Sequence, residues 1–429
     1  MNILLIHTYD YGGASKAVYR LHQNLKARGH NTELLVKHKT IADEDVVQLP
    51  GPSLLRRAIE IAERRVRVPQ TDPNFYFFNA REQRSYIPTN RLLEQVSFAP
   101  DIIIANWIST FVNTRNLYEL GNATKAPLLW YLMDMAPLTG GCHYAWDCDG
   151  YRNTCGRCPA LYSTEARDIS YRNFRQKLHY IRQTDLTVVT GTEWLTKQAK
   201  QSSLFAGKKI AKIMLGIDSD VFKPFDRKIV RAMLNLPLDS RIIFFGTAIV
   251  GEERKGVKYL LEALRFLSNS LPSTLRAKTL LTTAGRDDGS IIIDVPFAHK
   301  SLGILNDDRL LALAYQSADV FVCPSIEDSG PMMINEAIMC GTPVVSFEMG
   351  VAPDLVHTGQ TGYRAKLKDS QDLARGIAEI LTLSEDAYNK MSYNCRELGL
   401  KLCHPKVQVE SFERLVETAL RSSRENPGG

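Results

Sequence analysis

A chain of 429 residues exceeds what one ordinary hydrophobic core organises, so two domains are expected. Hydrophobic residues at 44% and charged residues at 23% exclude disordered and fibrous classes, and no apolar run approaches the roughly 20 residues of a membrane span. The 53 basic and 47 acidic side chains leave a net charge of +6, too small and too evenly spread to argue for a nucleic-acid partner.

The opening run "MNILLIHTYD" reads as a buried strand without the basic flank of a secretory leader, which points to a cytoplasmic chain with reduced thiols. Adjacent glycines, Gly12 and Gly13, follow it, and a helix begins near Ala14. They suit either a close backbone approach to an anion at a helix N-terminus or a plain tight turn. The spacing is neither G-x-G-x-x-G nor a P-loop. "LLRRAIEIAERRVRVPQ", Leu54 to Gln70, carries an apolar stripe at helical spacing among five arginines. It reads as a surface helix packed on its own domain or, alternatively, as a basic amphipathic helix on anionic lipid at the inner face of the membrane.

Strand-like runs then alternate with helical stretches: "NTELLVKH", "DIIIANWI", "PLLWYLMD" and "LTVVTGT" before residue 200, "RIIFFGTA", "TLLTTAG", "ADVFVCPS" and "TPVVSFEM" after it. The pattern predicts two doubly wound parallel sheets, joined through the turn-rich passage Ser203 to Phe225. The expected domains are 1–205 and 206–404, with a C-terminal helix, 405–429, packing back on the first and ending in a frayed "RSSRENPGG". In such folds ligands bind at the carboxyl ends of the strands, so chemistry is sought in the loops that follow them.

In the second half, Arg254 and Lys255 precede Gly256 and an amphipathic helix. Two cations at a helix start oppose the dipole and call for an anion such as a diphosphate; the alternative is a pair of solvated surface cations. The segment "CPSIEDSGPMMINEAIMCGTPVV" is stronger. A strand leads to Glu327 and Asp328, Gly330 and Pro331 mark the start of helix "PMMINEAIMC", and Glu336 lies eight residues beyond Asp328. Helix-end N–H groups beside carboxylates suit a ligand that is part phosphate and part polyol.

Together these loops resemble the retaining family-4 glycosyltransferases of the GT-B fold, two Rossmann-like domains facing across a cleft. The E-x7-E region corresponds to the stretch ending "EAIMCGTPVV", and "GIDSDVFKPF" resembles that family's linker motif. "MDMAPLTGGCHY" is similar to a branch of bacterial surface-polysaccharide enzymes. The resemblance implies transfer of a sugar from a nucleotide-sugar donor to a glycan or polyprenol-linked acceptor. It puts Gly12 and Gly13 against the diphosphate or acceptor. It has Arg254 and Lys255 neutralise the leaving diphosphate without a required divalent metal, and Glu336 bind the ribose. Asp328 or Glu327 would stand near the anomeric carbon, while Gly330 and Met332, on either side of Pro331, present backbone N–H groups. Three positions depart from that pattern: Asp328 replaces the first glutamate, "GTA" replaces a G-R dipeptide, and Met133 stands where a histidine contacts the donor sugar. A 6-deoxy sugar would suit the thioether, or Asp134 or His143 substitutes for the histidine. A catalytically silent binding module is the rival reading.

Half of the eight cysteines, Cys142, Cys148, Cys155 and Cys158, crowd the loop after "PLLWYLMD". Only Cys155 and Cys158 have zinc-ribbon spacing. A structural zinc ranks first, ahead of free thiols and then disulfides, as a brace beside the active site.

Overall fold

A computed structural model describes residues 1–51, 70–77, 82, 86–249, 251–286 and 295–425. The basic segment Leu54–Gln70 therefore falls, except for Gln70, outside the described residues. The chain forms two compact units. The first comprises Met1–Gly191, Leu195–Ile213 and Val409–Gly429; the second comprises Thr192–Trp194 and Met214–Gln408.

The first unit is built on β1 (Asn2–Tyr9), β2 (Asn31–His38), β3 (Val46–Gln48), β4 (Ile102–Ala105), β5 (Leu128–Leu132), β6 (Leu186–Thr190) and β7 (Lys209–Lys212). They form one seven-stranded sheet in the order β3-β2-β1-β4-β5-β6-β7, and every pair is parallel. Ile3 to Ile6, Ile102 to Ala105 and Leu128 to Leu132 are buried throughout, as a sheet covered on both faces requires. The passage expected to be turn-rich contains β7, "KIAK", an edge strand whose lysines face solvent, which explains why its apolar signal is weak. The last helix, Pro405–Glu425, runs further than the expected frayed tail allowed. Within the first unit its Phe412 ring meets Tyr131 edge-on at 5.4 Å.

The second unit has β8 (Arg241–Ile249), β9 (Thr279–Arg286), β10 (Ala298–Ser301), β11 (Val320–Cys323), β12 (Val344–Phe347) and β13 (Gly362–Ala365), ordered β10-β9-β8-β11-β12-β13 and again all parallel. Phe244, Tyr315 and Phe321 pack ring against ring at 5.2–5.6 Å beneath its central strands. Buried Asp319 binds Arg231 at 2.8 Å and Arg227 at 2.6 Å, and accepts the Ile242 N–H, which fixes helix Arg227–Met233 to β8. No described helix is long and apolar enough to cross a membrane.

Candidate active-site clusters

In the second unit, β8 runs into a short 3-10 turn, Glu253–Lys255, and then helix Val257–Ser270. Gly256 joins the two at φ 68°, and a Cβ there would lie 1.9 Å from the Pro324 carbonyl oxygen. Only glycine permits this approach. The close contact lets the Arg254 carbonyl accept the Ile326 N–H at 2.8 Å, so the cationic turn is laced onto the acidic loop after β11.

The side chains complete the lacing. Arg254 Nη1 donates to Asp328 Oδ2 at 3.0 Å, and Lys255 Nζ donates to the same oxygen at 2.6 Å. Arg254 also pairs with Glu252 at 2.6 Å. With side chains only 13% and 21% exposed, Arg254 and Lys255 are not the solvated surface cations of the alternative reading. Burial alone would raise the Asp328 pKa, but the charges of Lys255 and Arg254 outweigh it and hold the carboxyl below its ordinary value. The other Asp328 oxygen accepts the Gly330 N–H at 3.1 Å, which ties it to the approach of helix Met332–Met339. Pro331 caps that helix and Met332 begins it, both beside this carboxylate. Glu327 is buried next to Asp328.

Glu336 lies one turn inside the helix and is 1% exposed. Its Oε2 accepts the Tyr315 hydroxyl at 3.1 Å, and burial followed by the neighbouring Glu336 charge pushes the Tyr315 phenol well above its usual pKa. Tyr315 was not among the residues the sequence singled out. Of the buried carboxylates here, Asp328 is neutralised by cations and Glu336 is held by a phenol.

In the first unit, Gly12 stands at φ 94° ahead of helix Gly13–Ala27, and a Cβ on either glycine would meet nothing within 4 Å. Beside this turn the Trp107 backbone N–H donates to His7 Nδ1 at 3.1 Å, so His7 Nε2–H faces Ser15 Oγ at 3.0 Å, and the serine hydroxyl donates to the Tyr11 carbonyl. Desolvation lowers the His7 pKa to about 3, with a smaller opposing pull from Asp134. A neutral histidine that donates to Ser15 does not activate it as a nucleophile.

The Trp107 ring connects this turn to the loop after β5. Its Nε1–H donates to Asp134 Oδ2 at 2.6 Å, and His143 Nδ1 lies 2.6 Å from the same oxygen. Asp134 Oδ1 accepts the Ala136 N–H, and the buried Lys177 ammonium donates to the Ala136 and Thr139 carbonyls. Met133 is half-buried and lines a cavity of about 20 Å³ with Asn106, Trp107, Asp134 and Lys177. Trp107 and Lys177 escaped the sequence reading, although Trp107 follows a strand and so stands where ligands were sought.

None of the eight cysteines is joined in a disulfide. Cys142, Cys148, Cys155 and Cys158 line one further cavity of about 20 Å³. Among the described residues, the one group of three or more potential ligand atoms all within 4.8 Å of one another is His22, Asp43 and Asp45. Those carboxylates already engage Lys26, Tyr19 and Gln23.

These two units define the GT-B class of α/β fold, with Rossmann-like sheets of seven and six strands. Within the second unit, residues 226–398 match the family model described as glycosyl transferases group 1. Over 184 residues the chain is 29% identical to D-inositol 3-phosphate glycosyltransferase 2 of Catenulispora acidiphila, a stretch that is 40% of this chain and 42% of that protein. The chain thus spans about two fifths of the curated relatives it matches. Sucrose-phosphate synthase from Thermosynechococcus elongatus superposes with a TM-score of 0.68 at 18% identity, over 98% of this chain and 100% of that one. Anabaena Alr3699/HepE, solved with UDP and glucose, gives 0.60 at 14% identity, over 97% and 100%. Both structural likenesses are likenesses of fold.

Proposed function

We propose that this chain is a retaining glycosyltransferase that moves a sugar from a nucleotide-sugar donor to a hydroxyl of a glycan or lipid-linked glycan in polysaccharide synthesis. The observation that carries the reading is the Arg254–Lys255–Asp328 cluster, which lies inside the region that matches the family model. In this proposal the donor diphosphate displaces Asp328 from Lys255 and Arg254, which then stabilise the leaving charge; no divalent metal is required for that role. Glu336 binds the ribose, and Gly330 and Met332, on either side of Pro331, present N–H groups to the donor. The freed Asp328, or Glu327, faces the sugar. The bond from the anomeric carbon to the phosphate oxygen breaks as the bond to the acceptor oxygen forms on the same face. The acceptor proton passes to the departing phosphate, so a pair of carboxylates flanking the bond is unnecessary.

Gly12, Gly13, Met133 and Asp134 of the first unit are proposed to serve the donor sugar or the acceptor. A polyprenol-linked acceptor rests on the family resemblance, and contact with anionic lipid at the inner membrane face rests on the sequence of the basic segment. The test is release of nucleoside diphosphate from a panel of sugar nucleotides, with the anomeric configuration of the product read by NMR. Inverted product would refute retention. Binding of sugar nucleotides without any release would favour the silent module, the reading to which Met133 in place of histidine gives weight.

A further inference from the structure

We propose that Cys142, Cys148, Cys155 and Cys158 are the ligands of a structural zinc ion that fixes the loop between β5 and helix Ile169–Gln183. The problem the loop poses is physical. Between Thr139 and Asp168 its regular structure is limited to two 3-10 turns, Gly150–Arg152 and Pro159–Leu161. A stretch this long without its own secondary structure needs another source of order. Its apolar cluster is small: Phe77, Cys142, Cys158, Ala160 and Leu161.

The four cysteines instead line one cavity. They line it together with Phe77, Ala145 and Tyr151, and its volume of about 20 Å³ leaves room for one small ion. Four soft sulfur donors around one small space select zinc among common divalent ions. Two of the ligands are spaced Cys155-x-x-Cys158, and the backbone there is wound tightly: Cys155, Gly156 and Arg157 have φ values of 53°, 102° and 47°. Two successive non-glycine residues bracketing a glycine in the left-handed region need an outside cause. Turning both sulfurs inward toward one ion supplies it.

A supporting shell is also in place. The Ser170 hydroxyl donates to Asp168 Oδ1 at 2.6 Å and accepts the Gly156 N–H at 2.9 Å. These bonds hold the Cys155–Cys158 turn and so orient its side chains from outside the site. Asp168 accepts the Cys158 N–H at 2.9 Å while capping helix Ile169–Gln183, which anchors the knuckle to regular structure. No three of the sulfurs lie within 4.8 Å of one another, so binding would draw them inward around the ion.

The site is independent of the glycosyl-transfer reading but adjoins its residues. Cys142 directly precedes His143, whose ring pairs with Asp134, and the Met135 N–H donates to the His143 carbonyl at 3.1 Å. Metal at Cys142 therefore positions His143 without touching substrate.

The test uses the full chain purified without chelator. Elemental analysis should give about one zinc per chain. Replacement by cobalt(II) should give the intense thiolate-to-metal absorption of a tetrahedral sulfur site. Cys155→Ser should lose most of the zinc and that absorption, whereas Cys395→Ser, at a buried thiol of the second unit, should keep both. A wild-type chain with no zinc and no cobalt absorption after reconstitution overturns the proposal, as would undiminished zinc in both Cys142→Ser and Cys155→Ser. Because the wild-type measurements decide it, a variant that fails to fold leaves the test intact.

Discussion

Lys255 Nζ lies 2.6 Å from Asp328 Oδ2, and that oxygen also accepts Arg254. The cations that would grip a donor diphosphate are thus already neutralised by a carboxylate of the same unit. Diphosphate binding becomes an exchange of anions, and the two partners should respond to mutation in opposite directions. Lys255→Ala removes a charge-assisted partner worth about 1.5–3 kcal/mol, so nucleoside diphosphate affinity should fall roughly ten- to a hundredfold. Asp328→Asn removes the competitor, so the same affinity should rise while transfer falls. Calorimetric titration with a nucleoside diphosphate reads both. Equal losses of affinity in the two variants would disprove the exchange.

The Tyr315 hydroxyl makes Glu336 a structural as well as a chemical residue. Deleting the carboxylate in Glu336→Ala leaves a fully buried phenol without its acceptor, at a cost of about 1–3 kcal/mol in stability, together with loss of transfer. Glu336→Gln keeps an acceptor for Tyr315 and should restore most of the stability but not the activity. Tyr315→Phe should keep measurable transfer. If Glu336→Ala unfolds in urea at the wild-type midpoint, the buried pair contributes nothing and this account fails.

The residues of this region were legible because one short segment holds the strand, the acidic loop, the Gly330–Pro331 opening and the helix, each with its own local signal. What stayed hidden came from elsewhere in the chain. Tyr315 precedes Glu336 by 21 residues, and Trp107 reaches Asp134 across 27. No local periodicity encodes such meetings; the sheet order does. The same limit explains the strands that the pattern missed. β3, "VVQ", β7, "KIAK", β10, "AHKS", and β13, "GYRA", are the edge strands of the two sheets, short and partly polar, so no continuous apolar run marks them. The broad two-sheet architecture survived because the central strands are buried on both faces and so carry continuous apolar runs.

A second buried ionic centre in the matched region is structural. Asp319 is 1% exposed, binds the Arg227 and Arg231 guanidinium groups and accepts the Ile242 N–H. Asp319→Ala would strand the buried Arg231 charge between helix Arg227–Met233 and β8. Breaking a buried pair by removing one partner costs about 3–5 kcal/mol. Chemical denaturation should show that loss, with nucleotide affinity unchanged in the fraction that remains folded. A change below about 1 kcal/mol, the range of exposed pairs, would mean that the centre is solvated in solution.

His7 gives the first unit a pH-dependent stability whose sign follows from its surroundings. Desolvation lowers its folded-state pKa to about 3, against an ordinary 6.5, and the Trp107 N–H at Nδ1 holds the neutral tautomer. Above pH 6.5 the histidine is neutral in both states and contributes no slope. Between pH 6.5 and about 3 the unfolded chain takes up a proton that the folded chain refuses, so stability is lost as pH falls through that window. The slope from this one group is at most roughly 1.4 kcal/mol per pH unit. His7→Gln can keep both hydrogen bonds, with its carbonyl accepting from Trp107 and its amide donating to Ser15, but it cannot titrate. Urea denaturation at pH 7.5 and pH 5 should therefore show the variant gaining on the wild type by roughly 2 kcal/mol across that interval. Parallel pH dependences in the two proteins would show that water reaches the His7 ring and that the Trp107 network does not seal it.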